Sequence, residues 1–267
     1  MTDIPLGKHT PSPKGYDPTL LFPIARQRPA VEMYGFDLWR SYELAWLNAK
    51  GKPCIGILEM AYPRQSKNIV ESKSLKLYLH GLSNMRLSSP KDVMSLIRSD
   101  VERVLDTPWL SLRICDGEHF DAAQWRTNPQ GRCIDGADIT VNQPEGIDPS
   151  ILTTEDTAAQ EVLYSNLFRA YCPITSQPDW ASVIIDYTGP KIHEEALLQY
   201  ICSYRDHEGF GEACCEQIYT DILKRCSPQK LRVSCLFTRR GGIDINPVRS
   251  TSDIDPEESR PCRLIRQ

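Results

Sequence analysis

A proline-rich stretch holds the side chains best suited to chemistry. It reads CPITSQPDW and runs from Cys172 to Trp180. Its two prolines, with serine, threonine and glutamine, favour a loop over a helix. A catalytic thiol needs some exposure and a group that manages protons, and Asp179 could supply the proton if its surroundings raise its pKa. The alternative is structural, with Cys172 ending a buried strand and Asp179 capping a turn.

A second candidate is the segment IVESKSLKLYL, which holds Glu71, Ser72, Lys73 and Lys76. A helix start that carries serine and lysine can bind phosphate through its main-chain amides and its charge. The alternative, which is commoner among helices of this composition, is a capped amphipathic helix with a solvated charged face. The pattern lacks the glycine spacing of a P-loop.

A third candidate is TRRGGIDINP, in which Arg239 and Arg240 precede Gly241 and Gly242. Paired arginines beside a flexible backbone suit an anionic cofactor such as a phosphorylated dinucleotide. The alternative is a turn after an edge strand, with both arginines solvated. The G-x-G-x-x-G fingerprint of dinucleotide-binding folds does not occur here.

Composition restricts the classes of function. The chain has 267 residues and a formal net charge of -4, so no basic excess indicates nucleic-acid binding. No apolar run approaches the length of a membrane-spanning helix. The start, MTDIPLGKHT, does not resemble a secretory signal, and we expect a cytoplasmic protein.

Ten cysteines are present, but no two have the C-x-x-C spacing typical of zinc and redox motifs. We therefore expect no metal site. In a cytoplasmic protein most of these cysteines are expected to be reduced and to act as small apolar fillers. Any catalytic role for one of them needs separate support.

Hydrophobic periodicity predicts the same order of elements twice, as a strand pair, then helices, then a strand. In the first half, a hairpin spans DLWRSYELAWLN and PCIGILEMAY, helices follow in ESKSLKLYLHGL and after Ser89, and WLSLRIC closes the unit. In the second half, VLYSNLFRAY and ASVIIDYT precede the helices HEEALLQYICSYR and EACCEQIYTDILKRC and the strand KLRVSCLFTRR. The pattern predicts two α+β units, 1–140 and 141–267, each with an antiparallel sheet and helices on one face.

Taken together, four segments are more specific than any one of them. ESKSLKLYL, CPITSQPDW, SYRDHEGF and FTRRGGIDINP occur in the order and spacing of the 7-cyano-7-deazaguanine reductases, and nearly the whole chain resembles their long, two-unit form. The resemblance implies two tandem tunnelling-fold units, a homodimer, and NADPH-dependent reduction of a nitrile to an aminomethyl group in queuosine biosynthesis, a tRNA modification.

The resemblance also implies roles for single residues. Cys172 matches the nucleophile that forms a covalent thioimidate, and Asp179 matches the proton donor. The positions that match contacts to the substrate are Val70, Glu71, Ser72, Gly211 and Glu212. Those that match contacts to NADPH are Ser72, Lys73, Arg240 and Gly241.

One position departs from the family pattern, because Gly211 stands where these reductases usually have histidine. His207, one helical turn earlier, is usual for the family and is no obvious replacement. The departure leaves a slower enzyme, a refilled pocket or a loss of activity as alternatives. We therefore also consider a deazaguanine-binding protein with weak or no reductase activity. Amidation of a thioimidate by ammonia and zinc-dependent cyclohydrolase chemistry are further alternatives on related folds.

Overall fold

The computed structural model describes residues 13–116, 125–141 and 146–267. These residues form two compact units. The first comprises 13–27, 37–116 and 239–244, and the second comprises 28–36, 125–141, 146–238 and 245–267. Each unit thus includes a short segment distant in sequence from the rest, and the division at residue 140 stays a prediction.

The first unit is built on a three-stranded sheet. Its strands are β2 (Tyr34–Leu47, from Asp37 onward), β3 (Pro53–Pro63) and β5 (Ser111–Asp116), in the order β5-β3-β2. The predicted hairpin between β2 and β3 is confirmed. The Asn48 side chain accepts hydrogen bonds from the amides of Lys50 and Lys52 at 2.9 and 3.0 Å, which closes the connection.

Two helices and a small sheet complete this unit. The helices are α1 (Ser72–Gly81) and α2 (Pro90–Leu105), and β1 (Pro23–Ala25) pairs with β4 (Asn68–Val70). The predicted start of α2 is confirmed, because the Ser89 side chain accepts the Asp92 amide and Pro90 occupies the first turn. The buried apolar side chains of α2 recur at helical spacing; they are Val93, Ile97, Val101, Val104 and Leu105.

The second unit is a larger sheet covered by two helices. Its strand order is β11-β10-β9-β8-β7, with β7 (Arg132–Cys133), β8 (Thr154–Tyr171), β9 (Pro178–Ile192), β10 (Lys230–Phe237) and β11 (Ile243–Ser250, from Ile245 onward). Neighbouring strands are antiparallel from β8 to β11, and β7 pairs with β8 in parallel. Beside this sheet, β6 (Trp125–Arg126) pairs with β12 (Arg263–Leu264).

The two helices of the second unit are α3 (Glu194–Cys202) and α4 (Gly211–Cys226). The former packs on β8 and the latter on β9 and β10. Buried side chains of both helices and of these strands form one apolar core, which includes Cys214, Cys215 and Cys235. All ten cysteines of the chain are free thiols.

The predicted α+β class with antiparallel sheets is confirmed, and one element was missed. Strand β11 was not predicted. The interpretation of TRRGG as a turn is confirmed, but the strand before it is not an edge strand, because β10 pairs with both β9 and β11. Within the ranges that the structure describes, no helix is both long and apolar enough to cross a membrane.

Candidate functional site

Cys172 and Asp179 lie at the closed end of the β8–β9 hairpin. Ala170 pairs with Asp179 and Tyr171 with Pro178, and the Cys172 amide donates to the Gln177 carbonyl at 2.9 Å. Because side chains alternate along a strand, Ala170, Cys172 and Asp179 project from the same face. Cys172 and Asp179 are therefore diagonal cross-strand neighbours, a relation that lets side chains meet.

This face of the hairpin is the covered one. Ala170 is 1% exposed and Cys172 is 5% exposed, so the thiol sits just after a buried strand. The turn beyond it is tight, since the Ser176 amide donates to the Cys172 carbonyl at 2.9 Å and Ser176 has a φ of 50°. The thiol is thereby fixed relative to Asp179.

The first turn of α4 brings a second carboxylate to this region. Gly211 begins the helix and Glu212, which is 4% exposed, follows it. Burial raises the pKa of the Cys214 thiol, and the charges of Glu212 and Asp179 add to that rise. Both carboxylates therefore act on one buried thiol of α4.

The segment that leads into α4 pairs with the end of β8. The Tyr171 amide donates to the His207 carbonyl at 2.7 Å, and the Gly209 amide donates to the Tyr171 carbonyl at 3.0 Å. His207 is thereby held next to the cysteine loop. Burial lowers the pKa of His207, although Glu208 opposes this, so the ring favours its neutral form.

The space beside Gly211 is filled by an aromatic ring. A Cβ atom added at Gly211 would lie 2.7 Å from Cε2 of Phe237. Phe237 is 6% exposed and packs edge-on against Phe168, with the ring centroids 5.9 Å apart. No signal in the sequence connects Phe237 with Gly211, because the two residues are distant in the chain.

In the first unit, Glu71 is the N-cap of α1. Its two carboxylate oxygens accept the amides of Lys73 and Ser74, each at 2.7 Å, and the residue is 1% exposed. Burial raises the pKa of Glu71, against the lowering effect of these bonds and of Lys73. These two amides are thus already paired, so the structure has the capped helix that the sequence left as an alternative.

The Arg240–Gly241 pair lies in a tight hairpin turn of the same unit. Arg240 and Ile243 exchange main-chain hydrogen bonds of 2.9 and 3.1 Å, and Gly241 and Gly242 have φ values of 57° and 80°. Two consecutive positive φ angles define a type I′ turn, which requires residues such as glycine. A Cβ atom on Gly241 would lie 3.3 Å from Nζ of Lys76.

The predicted site residues thus divide between the two units. Cys172, Asp179, Gly211 and Glu212 belong to the second unit. The other group belongs to the first and comprises Val70, which ends β4, with Glu71, Ser72, Lys73, Arg240 and Gly241. Among the described residues, no group of three or more His, Cys, Asp or Glu side chains could hold a metal ion.

Comparison with known proteins identifies the family. A sequence model described as nitrile reductase, 7-cyano-7-deazaguanine-reductase N-term matches residues 12–109, and one described as QueF-like protein matches residues 178–256. An NADPH-dependent 7-cyano-7-deazaguanine reductase of Desulfotalea psychrophila is 44% identical, over 99% of this chain and 97% of the relative. The chain belongs to this reductase family.

Two further findings accompany this identification. Reductases of the same name from Coxiella burnetii and Chromobacterium violaceum are 43% and 42% identical, over 92% and 98% of this chain and 91% and 96% of the relatives. An apo archaeosine synthase structure covers 38% of this chain and 99% of its own at 16% identity, with a TM-score of 0.33, too low to inform the fold. The resemblance drawn from the four sequence segments is confirmed.

The first unit also has the chemistry that NADPH requires of a family member. Lys76 lies beside the glycine turn and is 43% exposed at its side chain, where it pairs with Glu43 at 3.4 Å. Arg239 and Arg240 are exposed at the same turn. Exposed cationic side chains around two glycines, whose backbone a ligand can approach closely, suit the phosphates of a dinucleotide. The residues present therefore fit this cofactor.

Proposed function

We propose that this chain reduces the nitrile of 7-cyano-7-deazaguanine to give 7-aminomethyl-7-deazaguanine, a step of queuosine biosynthesis. The observation that carries the proposal is the placement of Cys172 and Asp179 on one face at the end of one hairpin. Membership of the reductase family supports it and favours it over a protein that only binds the base.

Cys172 is the proposed nucleophile. Its sulfur adds to the nitrile carbon, one π bond of the nitrile opens, and the nitrogen takes a proton to give a covalent thioimidate. The C–S bond breaks later, when the carbon has been reduced, and the thiolate leaves. Because two main-chain hydrogen bonds of the hairpin turn hold Cys172 in place, its backbone loses little conformational entropy when the substrate binds.

Asp179 is the proposed proton donor to the nitrile nitrogen. As a diagonal neighbour of Cys172 it lies on the same side of the hairpin, so one small group can contact both side chains. Glu212 supplies a second carboxylate in this unit, and its charge acts on the Cys214 thiol together with that of Asp179.

Recognition of the base is assigned to the remaining substrate residues. Glu212 presents two carboxylate oxygens, which can accept two hydrogen bonds from the guanine-like edge of the base. Val70, Glu71, Ser72 and Gly211 are proposed as further contacts. Glu212 is buried in the first turn of α4, which limits the movement of its carboxylate.

NADPH is the proposed cofactor; two molecules, bound in succession, would each supply one of the two hydrides that conversion of a nitrile to an amine requires. Ser72, Lys73, Arg240 and Gly241 are the proposed contacts. Arg240 and Lys73 would pair with phosphate oxygens, and the open backbone at Gly241 would allow close approach. We further propose a cytoplasmic homodimer, as the sequence resemblance implies, that does not bind nucleic acid directly.

The test separates addition from reduction. Incubation with the nitrile base and no NADPH is expected to add the whole mass of the base to the parent chain and to Cys133→Ala, but not to Cys172→Ala. Cys133 is an exposed thiol of the same unit and is the matched control. With NADPH present, absorbance of the reduced cofactor is expected to fall by two equivalents for each equivalent of product.

Two results would count against the proposal. An adduct that persists in Cys172→Ala would assign the nucleophile to another residue. Tight binding of the base with neither an adduct nor oxidation of NADPH would favour the binding protein instead.

A further inference from the structure

The turn proposed to bind NADPH is held by a tyrosine of the neighbouring strand. The amide of Tyr42 donates to the Gly242 carbonyl at 2.9 Å, and its hydroxyl donates to the carboxylate of Asp244. The guanidinium of Arg239 lies over the ring of Tyr42, 4.2 Å from the centroid. One residue thus contacts the turn before, within and after its two glycines.

These contacts matter because the turn is inherently loose. Glycine has more conformational freedom than any other residue, and two in succession would leave the chain many alternatives to the type I′ geometry. Holding the residues on both sides removes those alternatives before a ligand arrives. Preorganisation of this kind raises affinity by reducing the ordering cost of binding.

Tyr42, which holds the turn, is itself bound to buried residues of the sheet. Asp244 is fully buried, and Arg40 lies 3.7 Å from its Oδ1 atom. Arg40 in turn donates to Glu59 of β3 at 3.0 Å. The Tyr42 hydroxyl therefore ties the turn to a buried network of charges and not to a mobile surface group.

Arg239 connects the contacts of Tyr42 with ligand binding. Arg239 is exposed although its guanidinium lies over the Tyr42 ring, so this side chain is not part of the core. Stacking on an aromatic face fixes the plane of a guanidinium, and the guanidinium is a group that recognises anions. Arg239 is thereby held in a fixed orientation beside Arg240 and Gly241.

We propose that Tyr42 is a positioning residue for NADPH. Tyr42 orients Arg239 and fixes the Arg240–Gly241 turn in the geometry that binds the cofactor. This inference rests on the proposed function of the turn. Tyr42 is assigned no contact with the cofactor and no part in the addition of Cys172 to the nitrile.

The experiment measures NADPH binding to substrate-free protein by titration calorimetry. Tyr42→Phe, which loses only the hydroxyl, is expected to raise the dissociation constant about threefold, and Tyr42→Leu, which also loses the stacking surface, about tenfold. Tyr34→Phe is the matched control, because Tyr34 lies on the same strand and its hydroxyl donates to Glu32 at 2.8 Å. Its binding of NADPH is expected to stay unchanged.

A second arm excludes a general loss of structure. Thioimidate formation without NADPH, followed by intact mass, is expected to proceed at the parental rate in all three variants. In the two Tyr42 variants, but not in Tyr34→Phe, KM for NADPH should rise with little change in kcat. Arg239→Gln should raise the dissociation constant as well, and combining it with Tyr42→Leu should add little.

The outcomes separate the two claims. Parental NADPH affinity in Tyr42→Phe and Tyr42→Leu, with thioimidate formation intact, would overturn this inference alone. Equal losses of thioimidate formation and NADPH affinity would also overturn it, since they would indicate a structural role only. A parent chain that forms no thioimidate would refute the proposed function. If Tyr42→Leu does not fold, Tyr42→Phe and Arg239→Gln decide the matter.

Discussion

Replacement of Gly211 by alanine tests whether Phe237 determines what this position can hold. Glycine at the start of a helix is ordinarily improved by alanine, which gains up to about 1 kcal/mol of stability. Here the added Cβ would lie 2.7 Å from Cε2 of Phe237 and 3.0 Å from Cζ, closer than packed carbon atoms approach. The ring cannot simply move aside, because it packs against Phe168.

The two effects have opposite signs, and their sizes decide the outcome. Overpacking of a core costs about 1–3 kcal/mol, which exceeds the gain from helix propensity. Gly211→Ala is therefore expected to destabilise the chain by roughly 0–2 kcal/mol. In a Phe237→Leu background the clash is relieved, and the same alanine is expected to be neutral or stabilising by up to about 1 kcal/mol.

Urea unfolding of the four chains of this double-mutant cycle provides the measurement. A coupling energy of about 1–3 kcal/mol between the two positions is expected. Because Gly211 is a proposed substrate contact, the affinity for the nitrile base should fall in Gly211→Ala and recover in the double variant. A stabilising effect of Gly211→Ala alone, or the same effect in both backgrounds, would refute the reasoning. Gly211→His, with a larger side chain, is expected to be accommodated only together with a smaller residue at 237.

Three further predictions concern the second unit and α2. Glu216→Gln breaks the buried pair in which Arg249 donates at 2.9 Å, so we expect a loss of about 3–5 kcal/mol in urea unfolding, partly recovered by adding Arg249→Met. Ser89→Ala removes the cap of α2 and should cost about 1 kcal/mol; a smaller cost than Thr157→Ala, an exposed control, would contradict it. Burial lowers the pKa of His207 from 6.5, so the neutral ring stabilises the fold above that pH and this contribution is lost on acidification. His207→Gln should therefore lose less free energy of unfolding than the parent between pH 7 and pH 5. An equal loss in both chains would refute a lowered pKa for His207.

Elements with a strong local signal could be predicted from the sequence. Helix α2 has a serine cap, a proline in its first turn and a continuous apolar stripe, and each is a property of neighbouring residues. Strand β11 has no such signal, because Asp244, Asn246 and Pro247 are all disfavoured in strands. They are tolerated because partners distant in sequence bind them; for example, Gln267 donates to Asn246 at 2.6 Å.

The same distinction holds for the candidate site. Cys172 and Asp179 are seven residues apart, so the loop between them could be interpreted locally. Two other contacts depend on tertiary packing, and no periodicity or motif predicts them. They are the contact of Phe237 with Gly211 and the hydrogen bonds of Tyr42 to the glycine turn. In α4, Glu216 and Asp221 are buried for the same reason, since Arg249 and Tyr200 bind them.

The position of Glu71 makes it a poor probe of base recognition, whereas Glu212 is a good one. Glu71 caps α1 with both oxygens, so its replacement would remove two hydrogen bonds of the helix as well as the proposed contact with the base. A loss of activity in Glu71→Ala would therefore mix folding with binding. Glu212 also lies in a first turn, but Phe210 is the N-cap of α4 and makes no side-chain cap bond. The loss of substrate affinity in Glu212→Gln, measured beside its urea unfolding curve, is thus the more direct measure of recognition.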